Sequence, residues 1–218
     1  MKHAPIDVQS LLANRPAPAT RRSVAKLQTR ERVLAAAHKV FAEQGYDAAT
    51  VRDIAQTAGV SMGALFASFA EKSELFDAVL AADFAVLADR MATARAETAG
   101  DVLDVLTAMF GAGYARNLEQ LPLVQSAMAR SWARDSTATV FESAGLEQVL
   151  SLLGNTMNEA VWAGEVSPLL DTALAAELLW DGYLSNYRRA VFDGSNHQAL
   201  CARVRAQAEL ALCGYLRR

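Results

Sequence analysis

The chain has 218 residues, of which 52% are hydrophobic and 21% charged, and its formal net charge is −3 at pH 7. This share of hydrophobic residues is sufficient for one helical core and a smaller additional domain. Apolar runs stay short of the ~20 residues of a membrane span and the N-terminus lacks an apolar secretory stretch, so we predict a cytoplasmic protein with no membrane partner.

Charge is distributed unevenly along the chain. Residues 1–72 contain ten Lys or Arg and six Asp or Glu, whereas residues 73–218 contain eleven and eighteen. A basic end on an acidic body is typical of a protein that presents one face to phosphate groups. Many other soluble proteins are equally uneven, so charge alone leaves nucleic-acid binding open.

The N-terminal segments differ in periodicity. Residues 1–26 have three prolines and little apolar periodicity, which predicts a flexible basic arm that is either solvated or lies along DNA. From Thr29 to Gln44, apolar residues recur at helical spacing, and Gly45 ends this pattern.

The next stretch, TVRDIAQTAGVSMGALFASFAEKSEL, predicts two short helices joined by a tight turn. Thr50 and Ser61 stand where N-caps are needed, and Gly59 provides the residue that can adopt a positive φ at the turn. Ala55, four residues before Gly59, is small where two helices approach closely. This spacing is typical of a helix-turn-helix whose second helix enters the major groove, so we predict DNA binding.

Helical periodicity without strand alternation continues to the end of the chain, which predicts an all-α fold. Ser73 is predicted to cap the next helix, with Glu74 in its first turn. The later predicted helices cover residues 73–94, 101–119, 122–133, 137–164, 167–192 and 196–216.

Residues 29–80 closely resemble the DNA-binding region of the TetR family of transcriptional regulators. The matching features are FAEQGYDAAT, VRDIAQTAGVS and the block G-x-L-F-x-x-F-x-x-K-x-x-L, which together span about 50 residues. The resemblance implies a three-helix DNA-binding domain over residues 27–72 and a helical effector-binding and dimerisation domain over residues 73–218. It further implies a homodimeric repressor that leaves a palindromic operator when a small molecule binds, without a cofactor.

The resemblance also implies phosphate contacts from Thr50 and Lys72, with Ser61 close to the DNA backbone. Family members usually have Thr at the position of Ala64 and Tyr at that of Phe66, so about two hydrogen bonds of ~1–3 kcal/mol each are expected to be missing. The predicted DNA-contacting residues are Thr50, Arg52, Ser61, Met62, Gly63, Ala64, Phe66 and Lys72.

The second short helix contains no Arg, Lys, Asn or Gln with which to read bases. Contacts of Met62 and Ala64 with thymine methyl groups, and recognition of DNA shape, remain available. We therefore expect specificity to depend more on Arg52, the basic arm and DNA deformability than on this helix.

Large adaptable side chains are concentrated in the body helices, where they form either ordinary core or the lining of an apolar pocket. The resemblance implies such a pocket, and its composition favours an apolar or aromatic effector. The candidate lining residues are Met91, Met109, Phe110, Tyr114, Met128, Trp132, Met157, Trp162, Trp180 and Tyr183.

The last two helices each carry a stripe of apolar and small residues that faces either the monomer core or a second subunit. The resemblance implies a four-helix bundle made from these helices of two subunits. The predicted interface residues are Leu179, Gly182, Ala202, Ala206 and Leu210.

Two alternatives belong to other functional classes. An enzyme is disfavoured because the three histidines form no H-x-x-x-H pair and Cys-x-x-Cys is absent, so neither catalytic residues nor metal ligands are predicted. A family member that has lost specific DNA binding, and acts as a ligand-binding dimer, is favoured by Ala64 and Phe66. The retained Gly59, Ser61 and Lys72 argue against it.

Overall fold

The computed structural model describes residues 21–131 and 144–217, and this part of the chain confirms the all-α prediction. None of its helices is both long and apolar enough to cross a membrane. Leu118–Gln120 form a short 3-10 turn. The helices are α1 (Arg21–Ala48), α2 (Val51–Ala58), α3 (Met62–Phe66), α4 (Lys72–Glu97), α5 (Val102–Asn117), α6 (Leu121–Ser131), α7 (Ala144–Trp162), α8 (Thr172–Phe192) and α9 (His197–Leu212).

Helix α1 is longer than predicted and is interrupted at Gly45. It begins at Arg21, inside the segment predicted as an arm, while residues 1–20 lie outside the described residues. Gly45 has a φ of 76°, which glycine adopts without strain. A Cβ at this position would lie 2.9 Å from Oγ of Ser126, which accepts a 2.8 Å hydrogen bond from the Tyr46 N–H. Helices α1 and α6 therefore meet closely at this glycine.

The prediction that Ser73 caps α4 is wrong. The helix begins at Lys72, and the preceding Glu71 makes no side-chain capping hydrogen bond. The carboxylate of Glu74 accepts a 2.7 Å hydrogen bond from the N–H of Ala70 instead. A carboxylate in the first turn also interacts favourably with the helix dipole.

Two clusters of buried side chains form the core, and α4 contributes to both. The first cluster joins α1, α2 and α3 to the first part of α4, as far as Leu80, and to Leu123 of α6. The second cluster starts at Leu87 of α4 and includes α5, α7, α8 and α9. The predicted division at residue 72 thus falls at the start of a helix that links the two cores.

Candidate nucleic-acid interface

The turn between α2 and α3 has the geometry that the sequence predicted. Oγ1 of Thr50 accepts from the Asp53 N–H at 3.1 Å, and Oγ of Ser61 accepts from the Ala64 N–H at 3.2 Å. Gly59 is left-handed, with φ 64° and ψ 38°. The Thr50 hydroxyl also donates to Oδ2 of Asp53 at 2.6 Å, so a DNA phosphate would have to replace this carboxylate as its acceptor.

The inner sides of α2 and α3 are fixed by buried apolar residues, among them Ile54, Leu65 and Phe69. Arg30 of α1 reinforces this packing, because its guanidinium lies 3.9 Å from the ring centre of Phe69 and donates to the carbonyl of Ser68. Sequence analysis missed Arg30, since its hydrogen-bond partner is 38 residues away and no local pattern connects them.

The outer side of α3 is apolar. Met62 is 40% exposed and Phe66 47% exposed, and Gly63 is exposed between them, whereas Ala64 is half-buried. Arg52 is exposed on the neighbouring α2. The solvent-facing surface of the helix-turn-helix therefore combines uncharged, apolar atoms on α3 with a cation on α2.

Lys72, predicted to contact phosphate, already has partners within the protein. Its Nζ donates to the Ala49 carbonyl at 2.7 Å and lies 4.2 Å from the ring centre of Tyr46. Partial burial lowers the pKa of the Lys72 ammonium, and the charge of Arg130 lowers it further, against the opposing effect of Asp47. An ammonium has three N–H donors, and the bond to Ala49 uses one of them. Donors are therefore left for a phosphate, and the phosphate contact of Lys72 remains a prediction.

A polar cluster around Asp83 of α4 connects the DNA-binding domain to the body. Nε2 of His38 on α1 lies 3.2 Å from Oδ1 of Asp83, which also pairs with Arg116 of α5. Gln120 donates to Oδ2 at 2.8 Å. Burial by itself raises the pKa of the Asp83 carboxyl, but the hydrogen bonds from His38, Arg116 and Gln120 and the Arg116 charge outweigh it and lower the pKa.

The hydrogen bonds continue from this cluster into the body. Gln120 donates to Oδ1 of Asn117 at 3.3 Å, and Nδ2 of Asn117 lies 3.2 Å from the Tyr183 hydroxyl and 2.9 Å from that of Tyr187. Burial raises the pKa of both tyrosines, so their hydroxyls are neutral. The next hydrogen-bonded residues are Tyr114, Asn186 and Gln207.

A cavity of about 50 Å³ lies between α4, α5, α6 and α8. Its walls are apolar apart from Asp83, Asn117, Nε1 of Trp180 and the Tyr183 hydroxyl. Nε1 of Trp180 is buried without a hydrogen-bond partner among the described residues. The lining residues are Leu80, Asp83, Phe84, Leu87, Asn117, Leu123, Val124, Ala127, Met128, Trp180, Tyr183 and Leu184.

Only part of the predicted pocket lines this cavity, namely Met128, Trp180 and Tyr183. Trp162 was assigned wrongly, because it ends α7 at the surface with 82% of its area exposed. Trp132 lies outside the described residues. The five other candidates are packed in the body core and do not line the cavity, because large apolar residues fill cores more often than they line pockets. These are Met91, Met109, Phe110, Tyr114 and Met157.

The predicted interface residues lie in three different environments. Leu179 is buried in the core of its own subunit, so its assignment to the interface is wrong. Gly182 is half-buried, and a Cβ there would lie 3.3 Å from the Gln207 side chain, which places this glycine between α8 and α9. The three residues of α9 are exposed, and their role in a dimer remains a prediction. They are Ala202, Ala206 and Leu210.

The cysteine and histidine side chains form no recognisable reactive site in the described part of the chain. Nε2 of His197 lies 2.9 Å from the Gly111 carbonyl and 3.6 Å from Sγ of Cys201. Burial raises the pKa of the Cys201 thiol, which opposes formation of a nucleophilic thiolate. Within these residues, no three His, Cys, Asp or Glu side chains are grouped to hold a metal ion.

The capped turn, the packed inner faces and the exposed α3 define a helix-turn-helix protein of the DNA-binding class. The family model described as bacterial regulatory proteins of the tetR family matches residues 33–79. This match covers 47 of the 218 residues, so the helix-turn-helix region is the part of the chain that is similar to this family.

Relatives resemble the chain over different lengths. The transcriptional repressor AcnR of Corynebacterium diphtheriae is 43% identical over 63 residues, which cover 29% of this chain and only 33% of AcnR. The transcriptional regulator UidR of Escherichia coli K12 is 26% identical over 156 residues, covering 70% of this chain and 76% of UidR. A TetR-family structure from Mesorhizobium loti has a TM-score of 0.71 at 22% identity, covering 91% of this chain and all of the other, and it shares the fold.

Proposed function

We propose that the protein is a transcriptional repressor that binds a palindromic DNA operator as a homodimer, in the cytoplasm where that DNA lies. The observation that carries this proposal is the helix-turn-helix itself, in which buried contacts hold the inner side of α3 and leave Met62, Gly63 and Phe66 exposed. A single such unit contacts few base pairs, so two copies are needed to select a site.

The cavity beside α4 is the proposed effector site, and its predominantly apolar walls favour a small apolar or aromatic ligand. Its volume of about 50 Å³ is well below the roughly 300–1,000 Å³ of typical ligand sites. A ligand would therefore have to push the surrounding helices apart. Leu80 and Asp83 of α4 line the cavity, and Leu80 also belongs to the core of the DNA-binding domain.

The coupling between the two sites would run through this helix. Displacement of α4 would alter the contact between Asp83 and His38 of α1. The separation of the two α3 helices in a dimer would then change. A ligand can produce this shift only if it binds the displaced state more tightly than the DNA-binding state.

Arg52 provides a direct test of the DNA-binding proposal. Replacing Arg52 with Ala should weaken operator binding about 10-fold, the effect of losing one charge-assisted hydrogen bond. Arg90→Ala, at an exposed position on α4, is the matched control and should leave affinity unchanged. Footprinting on DNA from around the protein's own gene would identify the site. Equal affinities of the two variants for this site would show that Arg52 does not contribute to operator binding.

The alternative is a ligand-binding dimer without specific DNA binding. It is favoured by the missing hydroxyls at Ala64 and Phe66 and by the internal engagement of Thr50 with Asp53. This alternative predicts that no DNA segment is protected by the wild-type protein, although the helical body still dimerises.

A further inference from the structure

The exposed side of α3 offers DNA only apolar side-chain atoms. Met62 and Phe66 lie one helical turn apart and are 40% and 47% exposed, while Leu65 between them is buried. The Ser61 hydroxyl caps α3, and that of Ser68 donates to the Ala64 carbonyl at 3.1 Å. In the major groove, the thymine C5-methyl is the apolar group that distinguishes one base from the others.

Gly63 gives an independent indication that something outside the protein approaches this surface. A Cβ added there would meet no protein atom within 4 Å, and its φ is not positive, so the fold does not require glycine. Glycine nevertheless weakens a helix relative to alanine. A partner that packs against the backbone at this position accounts for the missing side chain.

From these two observations, and resting on the proposed DNA-binding function, we infer that α3 reads thymine methyl groups. The methyl group of a thymine in each half-site packs against Gly63, between the side chains of Met62 and Phe66. Ala64, which the sequence suggested as a thymine contact, is half-buried and lies to the side of this surface. The protein would thus select bases by apolar contact rather than by paired hydrogen bonds.

The experiment begins with selection of tight-binding duplexes from a random-sequence library by the full-length protein. Each thymine of the selected half-site is then replaced with deoxyuridine, which removes only the methyl group. At least one replacement per half-site should lower affinity ~4-fold, the effect of exposing one buried methyl group. This penalty should disappear in Met62→Ala or Phe66→Ala, and persist in Val86→Ala, which alters a residue 40% exposed on α4.

Gly63→Ala supplies a second readout that separates folding from recognition. The variant should be more stable to denaturant than the wild type, because alanine favours the helix, yet bind the selected duplex ~10-fold more weakly because the added methyl crowds the contact. Gly154→Ala, in α7 where a Cβ has only an ordinary 3.7 Å neighbour, should leave DNA binding unchanged.

The outcomes distinguish the inference from the function on which it rests. Specific binding that is insensitive to deoxyuridine at every thymine would overturn methyl recognition while leaving the DNA-binding function intact. Failure to enrich any sequence would overturn both. A Gly63→Ala variant with unchanged DNA affinity would also contradict the close approach at this glycine.

Discussion

Asp83 on α4 contacts both parts of the molecule, through His38 of α1 and Arg116 of α5. Asp83→Asn should lower the free energy of unfolding by about 2–3 kcal/mol at pH 7, because it removes the charge that pairs with Arg116. Urea denaturation would measure the loss. Asp89→Asn, at an exposed position on the same helix, is the control and should have little effect.

Asp83→Asn should also change how the stability of the protein depends on pH in acid. Because the pKa of Asp83 is lower in the folded protein than its ordinary value of 3.8, its stabilisation is present above that value and is lost as the pH falls through the folded-state pKa. Asp83→Asn should therefore make stability less dependent on pH below about 4. An unchanged acid dependence would contradict the role assigned to this carboxylate.

Residues whose partners are close in sequence were predictable, and those with distant partners were not. Thr50, Gly59 and Ser61 act on the adjacent turn, so type and spacing were sufficient. The contacts of His38 with Asp83 and of Lys72 with the Ala49 carbonyl join segments 45 and 23 residues apart. Such pairings depend on how helices pack, which no local pattern contains.

At the scale of elements, the contact between α1 and α6 depends on Gly45. Gly45→Ala should reduce stability by about 2–4 kcal/mol, since it combines a strained positive φ with crowding against Ser126. Gly164→Ala also places alanine at a positive φ, of 81°, but in open space, and should cost only about 1–2 kcal/mol. Guanidinium denaturation would compare the two variants, and equal losses would show that the approach of α6 contributes nothing.

Periodicity predicted the helices well, but it did not predict which side of α8 faces solvent. Leu179 was assigned to the interface, although the side chains left exposed on this helix include Leu174, Leu178 and Phe192. Because α8 is apolar on more than one side, its periodicity does not identify the side that packs against its own subunit. On α9, Ala202, Ala206 and Leu210 are exposed, and their place in an interface remains a prediction.

For the whole molecule, the exposed leucines of α8 and α9 provide a test of the proposed homodimer. The double variant Leu178→Glu, Leu210→Glu should remain helical, because both side chains are more than half exposed, but should sediment as a monomer. Its operator affinity should fall at least ~100-fold, because one subunit contacts only half of a palindromic site. Val86→Glu on α4 is the control, and a double variant that still sediments as a dimer would place the interface elsewhere.

The all-α architecture could be predicted from the sequence, because a clear helix-turn-helix pattern is followed by segments with helical periodicity. The cavity was not, since its polar lining residues Asp83 and Asn117 come from α4 and α5 and are brought together only by packing. Large apolar residues predicted the lining only in part, because the same residues also serve as core.

Specific DNA binding by the protein can be measured by fluorescence anisotropy of a labelled duplex from around its own gene. The titration would be run over a series of salt concentrations, with unlabelled duplex of unrelated sequence as competitor. We expect tight binding that resists the competitor and weakens as salt rises, because phosphate contacts release counterions. Equal competition by unrelated DNA at every salt concentration, or no binding, would contradict it.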